Sequence, residues 1–118
     1  MRNIRKYDVF KKSHELALDV YRMTNKLPKQ ETFGLISQMR RAAYSIPMNL
    51  SEGAARETQK EFAQFVNVSL GSCEEVRYQL LLSKDLNYIS QESYIQLDKR
   101  YEDVKRMLTR LYRRLRDA

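Results

Sequence analysis

Residues 90–115, SQESYIQLDKRYEDVKRMLTRLYRRL, carry apolar side chains at Tyr94, Leu97, Tyr101, Val104, Leu108, Leu111 and Leu115. The spacing alternates three and four without a slip for three heptads. That is the seam of one long helix packed at about 20° to its neighbours. Ser90 is an N-cap, and Glu92 lies favourably in the first turn. A helix of about 25 residues is roughly 38 Å long, so several of this length can lie side by side as a bundle.

Three further segments supply the partners. Thr58-Gln59-Lys60-Glu61 is a capping box, with the Thr58 hydroxyl and the Glu61 carboxylate each able to satisfy a free N–H. The helix it opens has its seam at Phe62, Phe65, Val66, Cys73, Val76, Leu80 and Leu86, and the period lapses near Asn87-Tyr88. Residues 33–56 carry a seam at Leu35, Met39, Ala42, Ile46, Leu50 and Gly53. Pro47 deletes one backbone bond there and presses on the Ala43 carbonyl. The phase survives it, which predicts a kinked but continuous helix. The first segment, from about Asp8 to Leu27, uses Phe10, Ser13, Leu16, Ala17, Val20, Tyr21, Thr24 and Leu27. Pro28 stops it.

Composition agrees. The chain has 118 residues, 42% apolar and 31% charged, with three Gly and two Pro. Many short strands would need far more turn residues, so an all-β fold is excluded. The expectation is all-α: an antiparallel up-down-up-down four-helix bundle with a Pro-kinked second helix, with residues 1–118 as one domain. Val68, Leu81 and Leu82 fall off the third seam, and a surplus of this kind calls for self-association.

The net charge of +7 is unevenly spread: +4 over residues 1–12, −2 over 13–98 and +5 over 99–118. An up-down bundle brings the first and last helices side by side, and a basic zone built this way attracts phosphate. The candidate nucleic-acid contacts are Arg2, Arg5 and Lys6 at the start. On the last helix Lys99, Arg106, Arg110 and Arg113 face away from the seam, with Arg114 and Arg116 nearby. No helix-turn-helix or base-stacking sheet is present, so binding should be led by phosphate contacts with little sequence preference. A membrane surface is set aside because the apolar side of that helix is needed for the bundle.

On the second helix Gln38, Arg41, Ser45, Asn49, Glu52 and Arg56 recur at three or four residues beside the apolar seam. They form a polar line suited to an interface, a lined groove or an ordinary solvated face. The neighbouring Ala42, Ala43, Gly53, Ala54 and Ala55 would let another backbone approach. Glu52 and Arg56 form a favourable i,i+4 pair.

No catalytic constellation is found. One Cys and one His cannot make a four-ligand zinc site, and no Glu-x-x-His is present for a di-iron bundle. His14 has no acidic or thiol partner in its local pattern. Glu74 and Glu75 are adjacent, so they point apart. No nucleophile elbow, phosphate-cradling Gly loop or dinucleotide fingerprint occurs. The expectation is no enzyme, no cofactor and no metal. A single Cys, a start lacking an apolar h-region and no apolar membrane span read as cytoplasmic.

The run GLISQMRRAAYSIPMNLSEGAAR (34–56), with EFAQFVNVSLGSCEEVRYQL (61–80), resembles the four-helix-bundle family of 23S rRNA-intervening sequence proteins. The diversity-generating retroelement accessory variability determinant proteins belong to that family. Its most specific part is Gly34-Leu35, Gln38, Arg40-Arg41-Ala42, Ser45-Ile46-Pro47, Asn49, Glu52-Gly53 and Arg56, then Phe62, Phe65, Gly71-Ser72 and Glu74. The resemblance implies a barrel-like homopentamer of four-helix protomers, with Pro47 in a bent helix and nucleic acid as the expected ligand. For the retroelement branch it implies work with a reverse transcriptase and its template RNA. The alternative is a scaffold docking an acidic partner protein.

Overall fold

The computed structural model describes residues 2–118. Four helices, α1 (Asp8–Thr24), α2 (Ser37–Ala54), α3 (Gln59–Asp85) and α4 (Gln91–Arg116), pack antiparallel in chain order, and the thinly packed α1–α4 seam closes the ring. The molecule measures 44 × 24 × 20 Å. A short 3-10 turn, Ile4–Lys6, leads into α1.

The core follows the seams except at Leu86, which lies just past the end of α3 and is exposed. Leu97, Tyr101, Val104, Leu108, Leu111 and Leu115 of α4 are buried, with Tyr94 half-buried. They meet Leu16 and Val20 of α1, Met39, Ile46 and Leu50 of α2, and Phe62, Val66, Val76 and Leu80 of α3. In α1 the expected stripe is buried at Ser13, Leu16, Ala17, Val20, Thr24 and Leu27, and the difference is in the first turn: Val9 is buried while Phe10 is half-buried and stacks on the exposed His14 ring. Tyr21 is also largely exposed, its ring facing the Arg40 guanidinium at 4.7 Å.

Helix α2 is unbroken across the buried Pro47. The non-helical dihedrals in this segment lie upstream at Gly34, inside the turn Thr32–Ile36 that leads into α2. On the α3 side the Ser69 hydroxyl donates to the Ile46 carbonyl at 3.0 Å. Gly53 sits against Phe62 and Phe65 so closely that a Cβ there would lie 2.6 Å from Phe65 Cβ.

Caps act as expected, with one change. Thr58 Oγ1 accepts from the Glu61 amide at 3.1 Å, but the Glu61 carboxylate accepts from the Thr58 hydroxyl at 2.9 Å instead of reaching the Thr58 amide. Ser90 Oγ accepts from the Ser93 amide at 3.1 Å. The end of α3 is a Schellman motif: Asn87 takes φ 64°, Tyr88 N–H donates to Ser83 O at 2.8 Å and Asn87 N–H to Lys84 O at 2.9 Å. Asparagine tolerates this left-handed conformation better than most residues.

Two long-range arginines tie the helices together. Arg40 donates to Thr24 Oγ1 at 2.8 Å and to Asn25 Oδ1 at 2.9 Å, closing the end of α1 onto α2. Between α3 and α4, the half-buried Arg77 makes a two-pronged contact to Asp98 at 2.8 and 3.3 Å, with Glu74 at 3.2 Å. The Asp98 hydrogen bond drives the Arg77 pKa above its ordinary value. Cys73 is buried on the seam, its Sγ 3.4 Å from Tyr101 O, and burial pushes its thiol up to about 12. Burial likewise raises the Tyr101 phenol.

Candidate nucleic-acid interface

The topology sets the start of α1, the end of α2, the start of α3 and the end of α4 at one end of the bundle. Both basic termini of the chain therefore converge, and a cleft of about 260 Å³ lies between α1 and α4 there. Tyr7, Met107 and Leu111 form its apolar part, and Arg110 and Arg114 its basic side; Asp8 is the acid within it. Sequence patterning did not point to Tyr7 or Met107. Only the antiparallel return of α4 beside the start of α1 brings them to the arginines.

The nine candidate cations separate into two groups. Arg5, Lys6, Lys99, Arg110, Arg113 and Arg114 are exposed and have no side-chain hydrogen bond or ion pair among the described residues. The other three are engaged. Arg2 donates through Nη1 to the Ala54 and Arg56 carbonyls and through Nη2 to Gln59 Oε1 at 3.2 Å, with its guanidinium 5.0 Å from the Phe62 ring centroid. It caps the end of α2, where carbonyls lack helical partners. Arg106 is paired with Glu102 at 2.9 Å and with Asp103. Arg116 is paired with Asp117 at 3.0 Å. That hydrogen bond raises the Arg116 pKa and holds Asp117 below the usual carboxylate range.

Lys99 is free but remote. It precedes Arg110 by eleven residues, about 17 Å along the helix axis. The end cluster is thus Arg5, Lys6, Arg110, Arg113 and Arg114. An exposed guanidinium with all five N–H groups available can grip a phosphate through two parallel bonds.

Five residues of the polar line lie on α2, with Gln38, Arg41 and Glu52 exposed and Ser45 and Asn49 half-buried, while the exposed Arg56 falls just past the helix end at Ala54 and not on the helix as expected. The line is not a shared network: among the described residues no hydrogen bond joins two of its side chains, and Asn49 Nδ2 donates to its own helix at Ser45 O, 2.8 Å away. The expected Glu52–Arg56 pair does not form, because Arg56 lies over the Phe65 ring at 4.8 Å. No group of three metal-ligating side chains, and no helix long and apolar enough to cross a membrane, occurs among the described residues.

Fold and site together define a small, basic four-helix bundle with five exposed cations, Arg5, Lys6, Arg110, Arg113 and Arg114, at one end. The chain belongs to the 23S rRNA-intervening sequence protein family, whose profile matches residues 5–110. Among solved structures, a protein of unknown function from the S23 ribosomal protein family of Bacteroides thetaiotaomicron VPI-5482 is similar in fold. Its TM-score is 0.82 at 24% identity, covering 89% of this chain and 95% of that one. No curated protein sequence matches the chain.

Proposed function

We propose that the protein is a cytoplasmic, non-enzymatic homo-oligomer, of five subunits, that binds RNA or DNA through phosphate contacts with little sequence preference. The observation that carries this reading is the end cluster: Arg5, Lys6, Arg110, Arg113 and Arg114, drawn from opposite ends of the chain, share one end of the bundle, and none of them forms an ion pair among the described residues. Electrostatic attraction of this kind supplies most non-specific nucleic-acid affinity. No element on that end has the form of a groove-reading helix pair or a stacking sheet, so bases go largely unread.

Self-association draws on α3. Val68 is 52% and Tyr78 61% exposed. With Gly71, Glu75 and Leu82 they recur at three, four, three and four residues, a second seam on the face away from the core. Leu81 and Leu82 are both half-buried within the protomer. A seam of this period suits another helix.

The same exposed seam favours a second reading, a scaffold that docks an acidic partner protein or a reverse transcriptase. Competition separates the two. Labelled RNA bound to the protein should be displaced comparably by unlabelled RNA and DNA, and much less by polyglutamate at equal charge. Equal displacement by polyglutamate would overturn the phosphate reading and put the scaffold first.

A further inference from the structure

At the end of the α1–α4 seam away from the basic cluster, the two helices part to leave a cleft of about 470 Å³. That is within the range of small-molecule sites. Three cations reach it: Arg22 and Lys26 at the end of α1, and Arg100 from α4. Asp19 is the acid among its lining residues. One carboxylate oxygen accepts from Arg22 Nη1 at 2.9 Å and the other lies 2.8 Å from Arg100 Nη1. Each guanidinium has five N–H groups, so Asp19 uses one of each and holds both forks in place with most donors free. Lys26 has no ion-pair partner among the described residues. The cleft therefore carries three positive charges against one negative, and its remaining wall includes Met23, Ile89 and Leu97.

We propose that this cleft binds the phosphate group of a nucleotide. Arg22, Arg100 and Lys26 take the phosphate oxygens, and the apolar wall takes the ring system. Planar arginine forks suit bidentate phosphate recognition, and lysine adds a point charge. The site is separate from the end cluster: Arg100 and Arg114 are fourteen residues apart on α4, about 21 Å. The phosphate can come from a free mononucleotide or from the 5′ end of a strand.

Calorimetric titration with AMP and with adenosine at fixed ionic strength tests it. AMP should bind wild-type protein at least about tenfold more tightly than adenosine. Lys26→Gln and Arg100→Gln should each weaken AMP about fivefold or more, since charge-assisted bonds are the strong ones. Lys26 supports nothing else in the fold, so Lys26→Gln carries the test even if Arg100→Gln, which gives up its bond to Asp19, melts early. A variant with Arg110, Arg113 and Arg114 all replaced by Gln should bind AMP as wild type does, which keeps the two sites distinguishable. If 5′-phosphorylation tightens binding of an oligonucleotide to wild type but not to Lys26→Gln, the phosphate belongs to a strand end; if AMP alone responds, to a free nucleotide. Equal binding of AMP and adenosine, or wild-type AMP affinity in both Lys26→Gln and a folded Arg100→Gln, would overturn the proposal.

Discussion

Replacing each of two helical glycines by alanine should shift stability in opposite directions. Helix propensity alone favours Ala over Gly by up to about 1 kcal/mol at an interior position. At Gly71, mid-way along α3, an added Cβ meets nothing within 4 Å inside the protomer, so Gly71→Ala should stabilise the protomer by about 0.5–1 kcal/mol. At Gly53 the same carbon would lie 2.6 Å from Phe65 Cβ and 2.9 Å from Phe62 Cδ1. Carbon atoms rest at about 3.5–4.0 Å. Phe65 Cβ is fixed to its backbone and cannot swing aside, so α2 and α3 must part by about 1 Å. Overpacking of this kind costs about 1–3 kcal/mol, which exceeds the propensity gain and leaves Gly53→Ala destabilised by about 1–2 kcal/mol. Each kcal/mol moves the melting temperature of a chain this size by roughly 4 °C. Melts followed by circular dichroism at one protein concentration should show Gly53→Ala falling by roughly 4–8 °C and Gly71→Ala rising by roughly 2–4 °C. Equal upward shifts in both variants would refute the close approach of α2 and α3.

Burial holds the Cys73 thiol near 12, so almost no thiolate exists at about pH 8, and thiol-specific labelling of folded protein should be very slow until denaturant is added. The unfolded thiol ionises at about 8.5. Stability from this group is therefore full below that pH and disappears as pH rises towards 12, and the fall in the urea midpoint between about pH 9 and 11 should be shallower in Cys73→Ala. Thr58→Ala removes the hydroxyl that caps α3 and should cost about 1 kcal/mol in urea unfolding. Light scattering should return about five times the 14.1 kDa protomer at micromolar concentration. Asn49→Leu or Glu52→Leu should leave helix content intact while changing that mass or the stability, and no change in either variant would mark the polar line as a solvated face.

Most of the architecture was legible because it rests on local period. The α4 seam, the Thr58 and Ser90 caps and the continuity of α2 through Pro47 each depend on residues within a few turns. In α1 only the first turn departs from the expected stripe: Val9, which precedes Ser13 by four residues in step with the rest of the buried row, is inward, and the larger Phe10 sits at its edge. The stop after Asp85 was visible only as a lapse, since Asn87 acts through a left-handed backbone angle rather than through a pattern. Charge partition along the chain located the basic end but not its free members. Arg2 is spent on carbonyls more than fifty residues away, a long-range fact no local pattern carries. Arg106, by contrast, has Glu102 and Asp103 at i−4 and i−3, a spacing from which its pairing could have been read. In the Arg22–Asp19–Arg100 clamp the Asp19–Arg22 pair has the same legible i,i+3 spacing, but Arg100 has no sequence signature for its part because it comes from α4.

The most direct test of the phosphate-binding end is the salt dependence of RNA and DNA affinity, measured for wild type and for the variant with Arg110, Arg113 and Arg114 all replaced by Gln. These side chains lie outside the core and have no partner to give up, so the variant should melt like wild type. It should bind both polymers more weakly, and the slope of log K against log salt should flatten by roughly 0.7–0.9 for each phosphate that an engaged subunit no longer neutralises. No binding by wild type at low salt, or equal affinity and equal slope in the two proteins, would contradict phosphate recognition at this end.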